Sequence, residues 1–471
     1  MGVNGNLLGL LRNYLSGRTQ IVVVDGVKSD PQPVRAGVPQ GSILGPLLFL
    51  VYVNDLPDCV SSNISLFADD TTLWTPVDDP VMAADLLNRD LARVHQWANK
   101  WRMKLNADKT EVLTISCKRL PMRHPDLSID GTILRRVTSH KHLGLTISSN
   151  MSWSEHIDTI CASAGSRLNI LRKLGHKLSR RTIELLYFAY VRPLLEYGSV
   201  IFGDHHISDA LKLDRVQNQA ALICTGALYN TNRARLLDEL GWPSLNNRRD
   251  EMRACIVYKA LNGFCPEYLS NLLREYVPND NQRHSSRHIR NLLVPICKTE
   301  RFKRSFIPTS IRLWNTYSAS FAGTNRFGKF RALLKKKYRP KHPPVWYYTG
   351  KKRPNLLLTR LRLNNSHLTG DVYRNNLTGD PSCSCGYRNE DRVHYLLDCP
   401  IFSALRNDLF QNVGAIISPF VDVNLFLNLD RQYIINLLLS GCTDYDVQTN
   451  INISNAVQLF IIRSGRFVRQ Q

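Results

Sequence analysis

Ile64-Ser65-Leu66-Phe67-Ala68-Asp69-Asp70-Thr71-Thr72-Leu73-Trp74 sets two adjacent carboxylates between two short β-type runs, Ile64–Phe67 and Thr71–Trp74. The pattern predicts a hairpin with both acids at its tip. Like charges so close repel, and a hard divalent cation resolves that conflict. Oxygen ligands suit Mg²⁺, and a pair of Mg²⁺ ions can clamp the attacking and leaving oxygens of a phosphoryl transfer. An isolated Asp-Asp turn is more often simply a solvated turn, so the surroundings have to decide.

Upstream, Gly37 to Gly45 is a loop punctuated by Gly and Pro, feeding an apolar helix expected over Pro46–Leu56. A short helix is expected over 5–17, then strands Gln20–Val24 and Gln32–Ala36 around the turn Asp25-Gly26. Downstream, Leu87, Leu91, Val94, Trp97 and Trp101 recur at helical spacing within Pro80–Lys104. Glu111–Ser116 is strand-like, and Asp130-Gly131 marks another hairpin, between Leu127–Ile129 and Thr132–Leu134. After about residue 150 helical patterns dominate from Glu155 to Leu240, including Thr182–Leu195. Residues 241–350 are basic and aromatic, with Arg301-Phe302-Lys303-Arg304 and Lys335-Lys336-Lys337. Pro340, Pro343 and Pro344 predict a linker.

The chain has 471 residues, which points to two to four domains. Its 61 Lys+Arg against 39 Asp+Glu leave +22, a charge that favours a polyanionic partner through counterion release. A basic surface serving only solubility is the plainer reading. Most of the eleven cysteines are scattered singly and read as reduced. No basic leader with an apolar core opens the sequence. The longest apolar run, Ile43 to Val53, is broken by Gly45 and Pro46, so no membrane segment is expected. Together these imply an intracellular protein, nuclear or cytoplasmic, not a secreted one.

Phe67-Ala68-Asp69-Asp70, preceded by Gly37-Val38-Pro39-Gln40-Gly41-Ser42-Ile43-Leu44-Gly45-Pro46 and Asn54-Asp55-Leu56, resembles the reverse transcriptases of non-LTR retrotransposons, of LINE and jockey-like type. The resemblance implies that Asp69 is the principal metal-binding carboxylate, with Asp70 beside it. It places Phe67 and Ala68 where the turn meets the primer terminus, and Gln40, Gly41 and Ser42 near the incoming nucleotide and template. Gly41 lets the backbone approach a base or sugar closely. Trp101 to Asn106 and Lys109-Thr110-Glu111 resemble the next palm motif, with Lys109 near the triphosphate as a proton donor to the leaving pyrophosphate. His142-Leu143-Gly144-Leu145 resembles the primer-grip hairpin, through Leu143 and Gly144; a plain turn is equally compatible. Arg172, Lys173 and Arg192-Pro193 to Gly198 match the family's thumb, whose cations would track duplex phosphate.

The family's third aspartate, on an earlier palm strand, bridges both ions. That motif would lie upstream of Gly5-Asn6-Leu7-Leu8, and Asp25 sits on the wrong side of the matched segment. The sequence is therefore read as an N-terminally truncated fragment with little or no polymerase activity alone.

Cys383-x-Cys385, His394 and Cys399 form a set of three thiolates and one imidazole suited to tetrahedral Zn²⁺. Three reduced cysteines and a helical histidine are the plainer reading, with a helix expected over Asp391–Asp398. Thr359 to Leu363 through Cys399-Pro400 also resembles the tail of such elements, a zinc-binding module that contacts nucleic acid. The fold expected is α/β (α+β): a partial polymerase palm over 1–150, a helical thumb over 151–240, a basic connector over 241–350 and a small zinc-binding C-terminal module over 351–471. The function expected is an RNA-directed DNA polymerase, using two Mg²⁺ ions, an RNA template, a DNA primer and dNTPs. A catalytically dead nucleic-acid-binding remnant or a domesticated element is the alternative.

Overall fold

Alternating side chains and Xaa-Gly turns produce short paired strands in the first third of the chain, and amphipathic repeats produce helices beyond it. A computed structural model describes residues 3–116, 123–203, 206–273, 291–321, 326–421 and 429–467. Parts of the expected connector (274–290 and 322–325) and of the tail (422–428 and 468–471) lie outside the described residues. The chain divides into two compact units, Met1–Met151 and Ser152–Gln471, giving a mixed α/β protein rich in helix.

In the first unit α1 spans Gly5–Leu15. The strands expected around Asp25-Gly26 form two ladders. β1 (Thr19–Gln20) pairs β4 (Gln32–Pro33), while β2 (Val23–Val24) and β3 (Val27–Lys28) close directly on the turn. The break between them is held by Ser29, which donates its backbone N–H to the Val22 carbonyl at 2.9 Å. Helix α2 runs Leu44–Val53 and gives way to a 3₁₀ turn at Leu56–Cys59, earlier than expected.

β5 (Asn63–Phe67) and β6 (Asp70–Trp74) form an antiparallel hairpin in which Phe67 faces Asp70. Helix α3, Pro80–Lys100, starts at an Asp79 cap that accepts from the Val81 and Met82 amides. Val53, Leu56, Val94, Trp97 and Ala98 make a buried core, and Ile64, Leu66 and Leu73 pack the inner face of the hairpin onto it. β7 (Glu111–Leu113) runs parallel to β10 (Arg135–Val137). β8 (Ser128–Ile129) with β9 (Thr132–Ile133), and β11 (Ser139–His142) with β12 (Leu145–Ser148), are tight hairpins. Among the described residues these ladders are all two-stranded and do not merge into one continuous sheet.

The second unit is helical. Helix Ser154–Leu174 buries Ile157, Ala164 and Leu168 completely. The helix expected over Thr182–Leu195 is interrupted: Arg180–Leu186 passes through a wide π-turn, Tyr187–Val191, into Arg192–Glu196. Pro193 lacks the N–H that would return to the Ala189 carbonyl, which accounts for the wider turn at this place. The expected proline linker is instead packed: a Cβ on Gly241 would stand 2.7 Å from both the Lys341 carbonyl and Pro343. Two cores follow, one around Val257, Trp314, Phe330 and Leu334, the other around Leu361, Tyr395, Val413 and Val457.

Candidate functional site

The tip of the β5–β6 hairpin consists of Ala68 and Asp69. Ala68 adopts φ +52°, a left-handed conformation that costs a residue with a Cβ roughly 1 kcal/mol. Phe67, Ala68, Asp69 and Asp70 are all exposed. Neither carboxylate has a hydrogen bond or ion pair among the described residues. Two adjacent, solvent-facing, unpaired carboxylates form a hard-oxygen donor set, and that chemistry fits Mg²⁺.

The base of the hairpin is held tightly. Asp90 is fully buried on α3 and accepts the Ser61 and Ser62 backbone N–H groups at 2.9 and 2.6 Å, with Arg93 at 3.1 Å. Desolvation opposes its ionisation, but the bonds from Ser62 and Ser61 and the Arg93 charge outweigh it and hold its carboxyl below the ordinary range. Trp97 donates its indole N–H to Asp55 at 3.0 Å, joining the Asn54-Asp55-Leu56 motif to the same helix.

In the neighbouring loop the Ser42 hydroxyl donates to the Pro39 carbonyl at 2.8 Å and accepts the Gly45 N–H at 3.0 Å. Gly45 is buried, and a Cβ there would meet the Pro39 carbonyl and Ser42 Oγ at 3.0 Å. Gly41 sits at φ +79° with open space around it, and Gln40 is exposed. Lys109 closes a 3₁₀ turn whose Asn106 cap accepts the Lys109 N–H at 3.1 Å, leaving the lysine exposed. Leu143 and Gly144 form the two-residue turn of β11–β12, at φ +46° and +83°. Asp25-Gly26 and Asp130-Gly131 adopt the same pair of conformations with a residue suited to the first position; leucine is not. On that hairpin His140 meets Glu111 at 2.7 Å, and this contact, with Arg135, holds the Glu111 carboxyl below its ordinary range.

In the second unit Cys383, Cys385, His394 and Cys399 converge, with all four donor atoms within 4.8 Å of one another. The expected helix over Asp391–Asp398 is largely a π-turn, His394–Asp398, which returns the Cys399 N–H to the His394 carbonyl at 2.8 Å. The Cys383 and Cys399 sulfurs are 3.8 Å apart, the edge of a tetrahedron with metal–sulfur bonds of ~2.3 Å. His394 Nε2 lies 3.2 Å from Cys385 Sγ, and its ring stacks on Tyr387 at 4.3 Å. Burial pushes the Cys383 thiol up, whereas bonds from the Tyr387 amide and the neighbouring cysteines overcome desolvation to hold Cys385 down. Such a donor set fits Zn²⁺, which would convert the thiols to thiolates.

Sequence reasoning missed Asp90 and Asp55 as supports of the tip. The signal for Asp90 was present: an acid stands in the apolar stripe of α3, beside Leu91 and between Leu87 and Val94.

No helix among the described residues is long and apolar enough to cross a membrane. Residues 2–147 match the family described as reverse transcriptase (RNA-dependent DNA polymerase). The chain is 29% identical over 250 residues to the RNA-directed DNA polymerase from mobile element jockey of Drosophila melanogaster, covering 51% of this chain and 27% of that protein. It is 30% identical over 232 residues to the probable RNA-directed DNA polymerase from transposon BS of the same organism, covering 47% and 26%. A longer match, 24% identical over 416 residues, reaches the retrovirus-related Pol polyprotein from type-1 retrotransposable element R1 of Bradysia coprophila, covering 85% of this chain and 38% of that protein. The chain thus spans about a quarter of the length of the first two relatives.

Proposed function

Because the chain belongs to the jockey-like, LINE-type reverse transcriptases of non-LTR retrotransposons, we propose that its Asp69–Asp70 turn is part of the nucleotidyl-transfer site of an RNA-directed DNA polymerase. The substrates are an RNA template, a DNA primer and deoxynucleoside triphosphates. The observation that carries the reading is the end of the hairpin, where Asp69 in the turn and Asp70 at the start of β6 present two unpaired carboxylates to solvent on a base fixed by Asp90.

Asp69 and Asp70 would hold Mg²⁺. Bound there, Mg²⁺ supplies positive charge for the primer 3′ oxygen and the phosphates of the nucleotide. Lys109 delivers a proton to the departing pyrophosphate oxygen. The Gln40-Gly41-Ser42 loop positions the nucleotide against the template, with Gly41 allowing close backbone approach. Phe67 and Ala68 meet the primer terminus, and Leu143 and Gly144 hold the strand behind it.

Residues 1–150 serve as palm, 151–240 as thumb, 241–350 as basic connector and 351–471 as tail. In the tail Cys383, Cys385, His394 and Cys399 would hold a structural Zn²⁺. A remnant that only binds nucleic acid, the other reading of the sequence, is not favoured, since the Asp69–Asp70 pair and the loop glycines Gly41 and Gly45 are in place.

Mn²⁺, used as a paramagnetic stand-in, tests the turn directly. Titrated into the chain it should broaden amide signals around Phe67–Thr71, and the Asp69→Asn and Asp70→Asn variants should lose that effect. In a polypeptide that carries this segment and extends a primer on RNA, Asp69→Asn should reduce incorporation to background. Undiminished extension by that variant would overturn the assignment.

A further inference from the structure

A cleft of about 770 Å³ opens in the helical unit, where the end of helix Ser154–Leu174 and the helix Ile207–Thr225 meet the first turns of helix Lys352–Arg362. Its floor is apolar: Ile183 is buried, and Leu222, Ile223 and Leu356 are half-buried. Its rim carries exposed Arg172, His176, Lys352 and Arg353, beside Tyr229, which is 85% exposed.

Among the described residues no Asp or Glu lines the cleft. Arg180 is neutralised by Glu184 and Glu239. The other three strong cations meet neutral oxygens instead. Arg172 donates to the Asn169 side chain at 2.7 Å, Lys352 to the Leu178 and Gly175 carbonyls, and Arg353 to the Phe467 carbonyl at 3.4 Å. Helix Lys352–Arg362 also begins here without an acid in its first turn, so the positive end of its dipole adds to the same field.

We infer that this cleft takes one unstacked base of a single-stranded nucleic acid, with the flanking phosphates on Arg172, Lys352 and Arg353. The inference rests on the reading of the chain as a nucleic-acid enzyme, and it adds a site away from the carboxylate turn. An anionic strand answers the uncompensated cations. A base has a flat apolar face for the floor and for the open Tyr229 ring, and polar edges for the exposed Gln219 side chain on the wall. The volume lies in the range of ligand pockets and leaves room for the sugar. Bases stacked inside a duplex cannot reach the floor, so a duplex would meet only the rim.

The test uses the full chain and three fluorescent probes: a single-stranded RNA, the same strand with abasic positions throughout, and a primer–template duplex. Anisotropy titrations should give the abasic strand about tenfold weaker binding than the intact one, and Tyr229→Ala about tenfold weaker binding of the intact strand only. Arg172→Ala with Arg353→Ala should make the slope of log affinity against log salt shallower by about 1.4. Both sets of substitutions fall on exposed side chains, and circular dichroism checks that the variants fold. Equal binding of intact and abasic strands, or an unaffected Tyr229→Ala, would overturn the base site while duplex binding persists. Loss of all binding by the wild-type chain would overturn the broader reading, and the site with it.

Discussion

Arg362 grips both oxygens of Glu239, with Nη2 at 2.8 Å from Oε1 and Nε at 3.1 Å from Oε2, and Arg180 reaches the same Oε1 at 2.9 Å. The three side chains are buried or nearly so. Arg362 also lies 3.9 Å from the centre of the Tyr347 ring, and Arg180 lies over Tyr348, whose hydroxyl donates to Glu184. One carboxylate therefore ties residues 123 positions apart in sequence. A buried ion pair adds little over an apolar contact of the same shape, but removing one partner leaves the others uncompensated.

Glu239→Gln should accordingly destabilise the chain by about 3–5 kcal/mol, measured by urea denaturation. Burial disfavours the Glu239 charge, and the two guanidinium groups outweigh it, so its carboxyl titrates below the ordinary 4.5. A lowered folded value means stabilisation that is complete above pH 4.5 and is lost as pH falls through the folded value. The wild-type melting temperature should drop across that acid limb, and the Glu239→Gln variant should show a shallower drop. Parallel acid limbs in the two proteins would contradict the network's role.

Leu143 stands at φ +46° in a turn whose two counterparts use Asp at that position. Leu143→Asn should stabilise the chain by roughly 1 kcal/mol by relieving the left-handed leucine. If the leucine is kept for contact with a primer, the same substitution in a polypeptide that carries this segment and extends a primer should raise the primer concentration needed for half-maximal extension while leaving the nucleotide dependence alone. A variant neutral on both counts would leave the turn a plain connection.

What the sequence disclosed depended on the range of the physics involved. The Asp69–Asp70 hairpin, α3 and the Xaa-Gly turns follow from patterns within a few residues, and they were readable. The Cys/His set was readable because thiolate and imidazole spacing is local, although its π-turn was not. Asp90 under the hairpin and Glu239 between two arginines join residues about 30 to 123 positions apart, and no periodicity encodes such pairings. The split of Gln20–Val24 into two ladders came from Ser29 bonding to Val22, a choice between registers that the apolar pattern left equal.

The purified chain should contain one zinc, and Cys399→Ser should lose it together with part of its helical signal on warming. Cys399 lies in the core with Tyr395 and Leu396, so metal loss should unpack that core rather than merely free a loop. Metal analysis and thermal melts with and without a chelator make the measurement. A metal-free chain with an unchanged melt would remove zinc from the account.

Asp90 offers the sharpest test of how the carboxylate turn is supported, because it touches the hairpin only at its base. In Asp90→Ala two amides, Ser61 and Ser62, lose their acceptor in a partly buried setting, at about 1–3 kcal/mol each. The total cost should be about 2–6 kcal/mol by denaturation, and Asp90→Asn, which keeps a carbonyl acceptor, should cost less. Hydrogen exchange should accelerate across Asn63–Phe67 and Asp70–Trp74 while the pairing of β11 with β12 stays protected. Mn²⁺ broadening at the turn should weaken in proportion to that local loosening, although Asp69 and Asp70 are both still present. Faster exchange spread evenly over the whole unit would show that Asp90 stabilises the core generally and does not act as the hairpin's anchor.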